Sequence, residues 1–280
     1  MRDISTDKII DAVRTLVMES ATDLGQDVVD ALEKAKAKEQ SPVGRGILDQ
    51  ITDNARIAKD EKMPMCQDTG LAVLFVSLGQ GAHIVGGDFY EALHEGVRRG
   101  YKDGYLRKSV LGDPIERKNT GDNTPAVIHL EIVPGDKLKI IMAPKGGGSE
   151  NMSEVRMMKP SDGIEGVKEF VVDRVLRSGG NPCPPVIVGV GIGGSFEKCA
   201  WLAKKSLLRG VGDRHPNKFY ADLELELLEK INKLGVGPQG LGGTTTALDV
   251  HVEVFPCHIA SLPVAVNTQC HAARHKEVTL

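Results

Sequence analysis

Three of the five cysteines stand in loop-like stretches, where a thiol is able to do chemistry. Cys66 lies in PMCQDTG, Cys183 in NPCPPV and Cys270 in NTQCHAAR, each beside an apolar run that predicts a strand. An odd number of cysteines scattered over a long chain is a poor disulfide framework, so reduced thiols are expected. Loop positions are unusual for packing thiols, which makes these three the candidate metal ligands.

The other two cysteines have more ordinary surroundings. Cys199 lies in SFEKCAWLAKKSLLRG, where Phe196, Ala200 and Ala203 recur with it at helical spacing. This pattern predicts a small core residue on a helix. Cys257 follows the alternating run ALDVHVEVFP, so it can equally be a core residue at the end of a strand.

The spacing of the three loop cysteines limits which metal they could hold. A zinc knuckle would show local Cys-x-x-Cys pairs, and the sequence has none. Three thiolates without a local fourth suit a cubane iron–sulfur cluster, whose remaining iron stays open to a substrate oxygen and acts as a Lewis acid. Spacing alone does not separate this interpretation from three unrelated thiols.

A glycine-rich stretch supports a rival function. GVGIGG, Gly189 to Gly194, fits G-x-G-x-x-G between an apolar strand and a helix, which is the context of a dinucleotide site. That fold needs a second strand ending in an acid about 20 residues further on. Asp213 is at a suitable distance but lies in a polar segment with no strand before it. A tight strand-to-helix turn packed on its sheet is the competing interpretation.

Two further glycine-rich loops indicate a site for a small anion. KGGGSE, residues 145–150, has its lysine before the glycines and is therefore not a P-loop, yet its backbone N–H groups can face a carboxylate. GVGPQGLGGTTTALDV is another glycine-rich approach to a strand. Loops of this kind let a ligand come close to the main chain.

Composition excludes several classes of function. The chain has 280 residues with 41% hydrophobic content, enough for one large core or two modest ones. A net charge of −3 gives no electrostatic case for binding nucleic acid or an anionic membrane. No apolar run approaches the roughly 20 residues of a membrane span, and MRDISTDKII is no signal peptide. The cytoplasm is the expected location.

The elements that must position these residues begin with helices. Residues 1–60 are predicted to be mainly helical, with an apolar stripe behind Thr6 as a cap and a third helix beginning at Ser41-Pro42. LAVLFVSLG predicts a buried strand directly after the Cys66 loop, and DFYEALHEGVRRGY a helix. AVIHLEIVPGDKLKIIMAP contains two alternating runs around a Pro-Gly-Asp turn, which predicts a hairpin.

The second half of the chain alternates helices and strands. Helices are predicted over SDGIEGVKEFVVDRVLRSGG, SFEKCAWLAKKSLLRG and KFYADLELELLEKINKLG, and strands over PPVIVGVG and TTALDVHVEVFP. Leu248, Val250, Val252 and Val254 share one face of the last strand. The predicted fold is α/β, a mixed sheet core with a helical N-terminal region, in a single domain over residues 1–280.

Four histidines are weaker candidates. His129 and His251 fall on the polar side of predicted strands, and His271 and His275 share one helical face at a spacing able to bind zinc. Each is predicted to be a structural or surface residue. His271 is favoured for a function only because it follows Cys270.

Five stretches of sequence together carry a family resemblance. PMCQDTG, GDNTPAVIH, KGGGSEN, NPCPPVIVGVGIGGSFEKCAWLAKKSLLR and GLGGTTTALDVHVE, in this order, resemble the α subunit of class I fumarate hydratase and its close relative L-tartrate dehydratase. The resemblance implies an iron–sulfur hydro-lyase that hydrates fumarate to L-malate, a step of the tricarboxylic acid cycle. Dehydration of L-tartrate is the alternative. A dinucleotide-dependent oxidoreductase and a non-catalytic iron–sulfur scaffold are the alternatives from other classes.

The resemblance also assigns a cofactor and its ligands. In that family three cysteines hold a [4Fe–4S] cluster, and the iron without a protein ligand binds the hydroxy-acid substrate. Cys66 and Cys183 match two of these ligands by their motifs. Cys270 corresponds to the third by its place after the last strand.

Substrate-binding residues follow from the same resemblance. It implies that Gln67 and Asp68 face the substrate beside Cys66, that Arg107 grips a substrate carboxylate, and that Gly147 and Gly148 belong to the substrate loop. Asp68 is the candidate catalytic, proton-handling group. Without the resemblance, Asp68 would be a turn-capping residue and Arg107 a solvated charge at a helix end.

A partner is expected because of what single-chain members of the family contain. Their second half supplies further substrate-binding residues, whereas this sequence ends at Leu280, ten residues after Cys270. The expected assembly is a heterotetramer of two α and two β subunits. The separate β subunit would complete the site for a small C4 dicarboxylate and supply the general base.

Overall fold

A computed structural model describes all residues, Met1–Leu280, and the chain forms two compact units. Unit 1 comprises Met1–Leu24, Ala55–Gly147 and Arg274–Leu280, and unit 2 comprises Gly25–Asn54 and Gly148–Ala273. A single domain over residues 1–280 stays a prediction, because compact units of one chain can fold together or separately.

Helices and strands are mixed in both units. The helices are α1 (Thr6–Thr22), α2 (Gln26–Lys38), α3 (Pro42–Glu61), α4 (Phe89–Asp103), α5 (Gly147–Glu150), α6 (Gly163–Ser178), α7 (Phe196–Ser206) and α8 (Lys218–Asn232). The strands are β1 (Arg2–Ser5), β2 (Leu71–Gly79), β3 (Ala82–Val85), β4 (Val127–Val133), β5 (Leu138–Lys145), β6 (Glu154–Met158), β7 (Val186–Gly193), β8 (Ala247–Phe255), β9 (Leu262–Gln269) and β10 (Lys276–Thr279). The predicted mixed α/β class with N-terminal helices is confirmed. None of the helices has the length and hydropathy needed to span a membrane.

The first helix of unit 1 begins where a side chain caps it. Ser5, rather than the predicted Thr6, is the cap, and its hydroxyl accepts the Lys8 N–H at 3.4 Å. The apolar stripe of α1 packs on α4 at two small residues of that helix. A Cβ added at Gly96 or at Gly100 would lie 2.6 Å from a valine side chain of α1. The glycines therefore allow the two helices to approach closely.

Four strands form the larger sheet of unit 1 in the order β10-β5-β2-β4, and β1 and β3 form a separate parallel pair. β2 lies between β4 and β5, parallel to the first and antiparallel to the second, so the predicted β4–β5 hairpin is wrong. The physical reason lies in β2, whose residues from Ala72 to Val76 are all buried. A continuous apolar run is typical of a central strand covered on both faces. The sequence around Gly135 turns as predicted but connects strands that are not neighbours.

The sheet of unit 2 has the order β6-β9-β7-β8, with β7 parallel to β8 and antiparallel to β9. Val188 and Val190 of β7 pack in a core with residues of α6 and α8. Cys199 and Ala203 of α7 are fully buried in a second cluster with Ala265 of β9. Helices thus supply packing partners for both faces of β7, and the prediction of Cys199 as a core residue is confirmed.

The GVGIGG motif has a packing role in this arrangement. A Cβ added at Gly189 would lie 2.1 Å from the Ala203 carbonyl oxygen, and one at Gly191 would lie 2.0 Å from the Cys199 carbonyl oxygen. Only glycine permits α7 to lie so close to β7. No strand occurs between α7 and α8, so the second strand that a dinucleotide site needs is also missing.

Gly191→Ala is expected to destabilise the chain strongly, since the new methyl group overlaps a backbone oxygen that a helix holds in place. The expected decrease in the free energy of unfolding is at least about 1–3 kcal/mol. Gly46→Ala in α3 is the matched control, because nothing lies within 4 Å of its added Cβ. It should raise stability by about 0.5–1 kcal/mol. Urea unfolding curves that moved equally for both variants would contradict this packing role.

Candidate functional site

Residues Cys66–Gly70, called the cysteine turn below, form a compact loop before β2. Cys66 is half-buried, and its sulfur lies 3.4 Å from the backbone nitrogen of Asp68, whose N–H points to it. The carboxylate oxygen Oδ1 of Asp68 accepts the Gly70 N–H at 3.0 Å. This is the local turn that an Asp-Thr-Gly sequence favours. Gln67 is exposed beside the cysteine.

Asp68 joins the cysteine turn to the glycine loop that follows β5. Its second carboxylate oxygen, Oδ2, accepts the Gly147 N–H at 2.8 Å. A Cβ added at Gly146 would lie 3.1 Å from the same oxygen, so the loop backbone comes close to the carboxylate. Both oxygens of Asp68 therefore accept backbone N–H groups. The turn-capping role is present in the structure, and a proton-handling role stays a prediction.

Two buried side chains hold the cysteine turn from inside unit 1. Tyr101 is fully buried, and its hydroxyl lies 3.0 Å and 2.8 Å from the carbonyl oxygens of Thr69 and Gly70. Burial raises the pKa of Tyr101, so the phenol keeps its donor proton. Arg274 is also buried, and its Nη2 donates to the Asp68 carbonyl at 3.0 Å. Sequence reasoning missed both residues.

Arg107 follows α4 in the same unit with its side chain exposed. Its backbone carbonyl accepts the Thr69 hydroxyl at 2.8 Å. Its guanidinium makes no ion pair with an acidic side chain of the chain, unlike Arg98, which lies 2.9 Å from Asp122. The main chain at Arg107 is thus attached to the cysteine turn while its charge is available to a ligand.

In unit 2, the segments that carry Cys183 and Cys270 are neighbours. Cys183 is exposed, and Cys270 follows β9 directly and is half-buried. The carbonyl oxygen of Cys183 lies 3.4 Å from the backbone nitrogen of His271, which donates to it, and 3.0 Å from its Nδ1. No helix forms between β9 and β10, so the predicted helical face shared by His271 and His275 is wrong. Six residues between two strands leave no room for one.

Gln239 is a third residue that sequence reasoning missed. It lies in the PQGLGG stretch with a φ of 53°, and its Nε2 donates to the Pro184 carbonyl at 3.0 Å. The same nitrogen is 3.2 Å from Nδ1 of His271. Its backbone N–H also donates to Pro184, at 2.8 Å. The Gln239 side chain therefore connects Pro184 and His271, the residues that directly follow Cys183 and Cys270. The glycine-rich stretch in which Gln239 lies was the sequence signal that could have identified it.

The other end of the KGGGSE loop also contacts these segments of unit 2. The Ser149 carbonyl accepts the Thr268 hydroxyl at 2.9 Å, close before Cys270 in sequence. A Cβ added at Gly148 would lie 3.0 Å from the carbonyl oxygen of Asn181, two residues before Cys183. Gly148 thus lies against a segment with a predicted ligand, as Gly147 does in unit 1.

The remaining two cysteines differ from each other in exposure. Burial raises the pKa of the Cys199 thiol, which favours its neutral form. Cys257 is exposed after β8, with its sulfur 3.4 Å from the Ser261 carbonyl oxygen, so the core interpretation of this residue is wrong. The chain leaves β8 before Cys257 and no element covers it.

One of the two strand histidines also differs from expectation. His251 is fully buried rather than on a polar face, with Nδ1 3.1 Å from the Ser206 carbonyl oxygen. Its Nε2 lies 3.2 Å from the buried carboxylate of Asp249. Both faces of β8 are covered, which single-strand alternation could not reveal. His129 packs its ring against Phe75 with the ring centroids 4.9 Å apart.

The predicted cluster ligands fit an iron–sulfur cluster in donor chemistry. Cys66 in unit 1 and Cys183 and Cys270 in unit 2 are at least partly exposed thiols in loops. Soft thiolates are the ligands that such clusters require. Neither unit by itself contains a group of three His, Cys, Asp or Glu side chains able to hold a metal ion. Their role as cluster ligands stays a prediction.

Comparison with known proteins identifies the family. The sequence matches the family described as fumarate hydratase (Fumerase) over residues 10–279. It is 46% identical over 275 residues, 95% of each chain, to a Methanocaldococcus jannaschii protein provisionally named L(+)-tartrate dehydratase subunit alpha. L(+)-tartrate dehydratase subunit alpha of Escherichia coli strain UTI89 is 37% identical, covering 96% of this chain and 90% of the relative. That of Shigella boydii serotype 4 is 36% identical with the same coverage.

The chain belongs to the class I fumarate hydratase and L-tartrate dehydratase alpha-subunit family. It is thus the alpha subunit of a hydro-lyase, in a family of iron–sulfur enzymes. The resemblance seen in the sequence is confirmed. The dinucleotide oxidoreductase and the non-catalytic scaffold are wrong as alternatives, and Gly189 and Gly191 are explained by helix packing.

The alpha subunit also contains an acid-sensitive contact close to the cysteine turn. Asp122 in GDNTP accepts Arg98 Nε at 2.9 Å, the Thr124 N–H at 3.0 Å and the Thr124 hydroxyl at 2.7 Å. Partial burial alone would raise the pKa of Asp122, but these donors outweigh it and lower the pKa to about 2.

Protonating Asp122 should therefore destabilise unit 1. A carboxylate with a lowered pKa contributes stability above its unfolded pKa, and this contribution is lost as the pH falls from about 4 to about 2. Asp122→Asn should lower the free energy of unfolding at neutral pH and flatten its decrease over that range. Urea unfolding at a series of pH values measures both effects.

The matched control for this experiment is Asp222→Asn, whose exposed carboxylate pairs only with Lys218 at 2.7 Å. An exposed pair of this kind contributes little to stability. Equal acid sensitivity of the Asp122→Asn protein and the parent protein would contradict the assignment.

Proposed function

We propose that this protein is the alpha subunit of an L-(+)-tartrate dehydratase, which removes water from a C4 dicarboxylate. The observation that carries the proposal is the naming of the relatives: at 36% to 46% identity and almost full coverage, they are tartrate dehydratase alpha subunits. The resemblance of the sequence motifs favours fumarate first and tartrate second, and the names of these relatives favour the reverse order. Fumarate hydration is the second candidate, because the family carries that description.

The proposed cofactor is a [4Fe–4S] cluster held by Cys66, Cys183 and Cys270. When bound, it supplies a Lewis acid for the hydroxyl group of the substrate. The partial exposure of the three thiols supports the assignment, in contrast to the buried Cys199. The neighbouring contacts of Cys183 and His271 in unit 2 support it too.

The chain's own residues would bind and orient the substrate. Arg107 presents an exposed guanidinium without an acidic partner, which suits a two-donor bond to a carboxylate. The exposed amide of Gln67 can accept from and donate to a hydroxyl group. Gly148 is the better candidate than Gly147 for an N–H facing the substrate, because Asp68 already accepts the Gly147 N–H.

We propose that the main role of Asp68 is to orient the site and that handling a proton is a secondary role. Its two carboxylate oxygens hold the cysteine turn and the glycine loop together, which sets where Gln67 lies. Taking a proton would weaken one of these bonds, so proton transfer by Asp68 would be coupled to movement of the loop. A base on a partner subunit would leave the Asp68 bonds intact.

The proposed partner is a separate β subunit, because the relatives are named alpha subunits. It would complete the pocket with a second cationic side and the general base, in a heterotetramer of two α and two β subunits. A dicarboxylate has two anionic ends, and Arg107 accounts for one of them.

Substrate choice is tested by producing the alpha subunit anaerobically with its β subunit and assaying both tartrate enantiomers, malate and fumarate. Turnover should be greatest with L-(+)-tartrate and absent without the β subunit. The D-(−) enantiomer is the control for stereochemistry. A kcat/KM for malate or fumarate above that for L-(+)-tartrate would instead establish fumarate hydratase.

Replacing the cysteines one at a time by serine tests the cluster. Serine at position 66, 183 or 270 should lower the iron and acid-labile sulfide content of the anaerobic complex, since each replacement removes a thiolate ligand. Cys257→Ser and Cys199→Ala are the controls and should retain full iron. Iron loss in the Cys257→Ser protein equal to that in the Cys66→Ser protein would refute the ligand assignment.

A further inference from the structure

Two polar side chains attach the main chain near Arg107 to the cysteine turn. Thr69 is buried within the turn, and its hydroxyl donates to the Arg107 carbonyl at 2.8 Å. Asn123 of the GDNTP stretch accepts the Ser109 N–H at 2.6 Å. Its Nδ2 donates to the Gly70 carbonyl at 3.2 Å. The segment bearing Arg107 is therefore bonded directly to Thr69 and, through Asn123, to Gly70.

Asn123 is suited to this position for several reasons. It is fully buried, and its φ of 64° lies in the left-handed region that asparagine tolerates better than most residues. One face of its side chain must accept a hydrogen bond and the other must donate one. An aspartate keeps only the acceptor, and leucine keeps neither. Removing either function leaves a buried backbone group without its partner.

The cysteine turn itself has little freedom to move. Tyr101 donates to its carbonyl groups from the interior of unit 1. Gly70 has a φ of 83°, and a Cβ there would lie 2.8 Å from the backbone nitrogen of Lys145 on β5. The turn is thus fixed against the sheet, so bonds to it also fix the position of the Arg107 backbone.

We propose that Thr69 and Asn123 are positioning residues for substrate binding, which set the place of the Arg107 guanidinium relative to Asp68. The proposal rests on the proposed role of Arg107 as the group that binds a substrate carboxylate. A long exposed side chain gains affinity for a carboxylate only when its backbone is preorganised. The bonds of Thr69 and Asn123 supply that preorganisation.

Kinetics of the αβ complex distinguish positioning from simple stabilisation. Thr69→Val removes the hydroxyl with little change of shape and should raise KM about 3–10-fold, with a smaller change in kcat. Thr69→Ser keeps the hydroxyl and should restore the parent KM. Asn123→Asp keeps the acceptor for Ser109, loses the donor to Gly70 and should likewise raise KM. Arg107→Lys keeps the charge but loses the two-donor fork, so it shows how far KM rises when the bond between Arg107 and the substrate carboxylate is lost.

Thr52→Val is the matched control. Its hydroxyl also donates to a backbone carbonyl, that of Leu48 at 3.0 Å, within α3 of unit 2. It should leave KM unchanged, because Thr52 bonds neither the cysteine turn nor the segment that bears Arg107. Iron and sulfide content should equal that of the parent complex in all these variants, because no thiolate is altered.

A measurement independent of turnover uses an arginine-selective dicarbonyl reagent followed by peptide mass spectrometry. L-(+)-tartrate should protect Arg107 from modification in the parent complex, and Thr69→Val should shift half-protection to about 3–10-fold higher tartrate. The exposed Arg56 is the internal control for reagent access, and tartrate should not protect it.

The outcomes separate this inference from the proposed function. Parent-like KM and parent-like protection of Arg107 in Thr69→Val and Asn123→Asp would overturn the positioning role. If the parent complex does not dehydrate L-(+)-tartrate, the proposed function fails. Protection of Arg107 from the dicarbonyl reagent by malate, compared between the parent and Thr69→Val complexes, then tests the positioning role. If the Thr69→Val protein does not fold, the KM and the Arg107 protection of the Asn123→Asp complex test the positioning role.

Discussion

The carboxylate of Asp68 is the interaction on which the candidate site in unit 1 depends. One oxygen accepts the Gly70 N–H within the cysteine turn, and the other accepts the Gly147 N–H of the loop after β5. A single ionised group thereby satisfies two backbone donors and joins a thiol-bearing turn to a glycine loop. Hydrogen bonds to a charged acceptor are stronger than those between neutral groups, which makes this junction rigid.

Main-chain geometry organises the candidate site in unit 2 as well. Gln239 and His271 bond to carbonyl groups at and after Cys183, and Ser149 bonds to Thr268 shortly before Cys270. These contacts hold the loop backbones on which the two thiols lie.

Packing and chemistry make different demands on the glycines of this protein. At Gly191 an added methyl group would overlap a carbonyl oxygen of α7, whereas at Gly146 it would lie 3.1 Å from the Asp68 carboxylate. Both occur in motifs that resemble anion-binding loops. The position of the neighbouring helix or carboxylate, and not the motif itself, decides which role a glycine has. Of these two glycines, only the one beside the Asp68 carboxylate belongs to the candidate site.

The sequence by itself determined the local structure and the family. The apolar stripe of α1, the core position of Cys199 and the loop positions of Cys66 and Cys183 were all predictable, because they depend on residue type and short-range spacing. Five motifs in one order along the chain were enough to indicate an iron–sulfur hydro-lyase alpha subunit, and the relatives confirm that family.

Only the tertiary structure decided which distant groups meet. The insertion of β2 between β4 and β5 could not be predicted, since the sequence of the turn between β4 and β5 does not determine which strands pair with each other. The bonds of Asn123 to Gly70 and of Arg274 to Asp68 join residues 53 and 206 positions apart. Such contacts depend on long-range packing, about which short-range sequence patterns carry no information. They determine where the candidate substrate-binding groups lie.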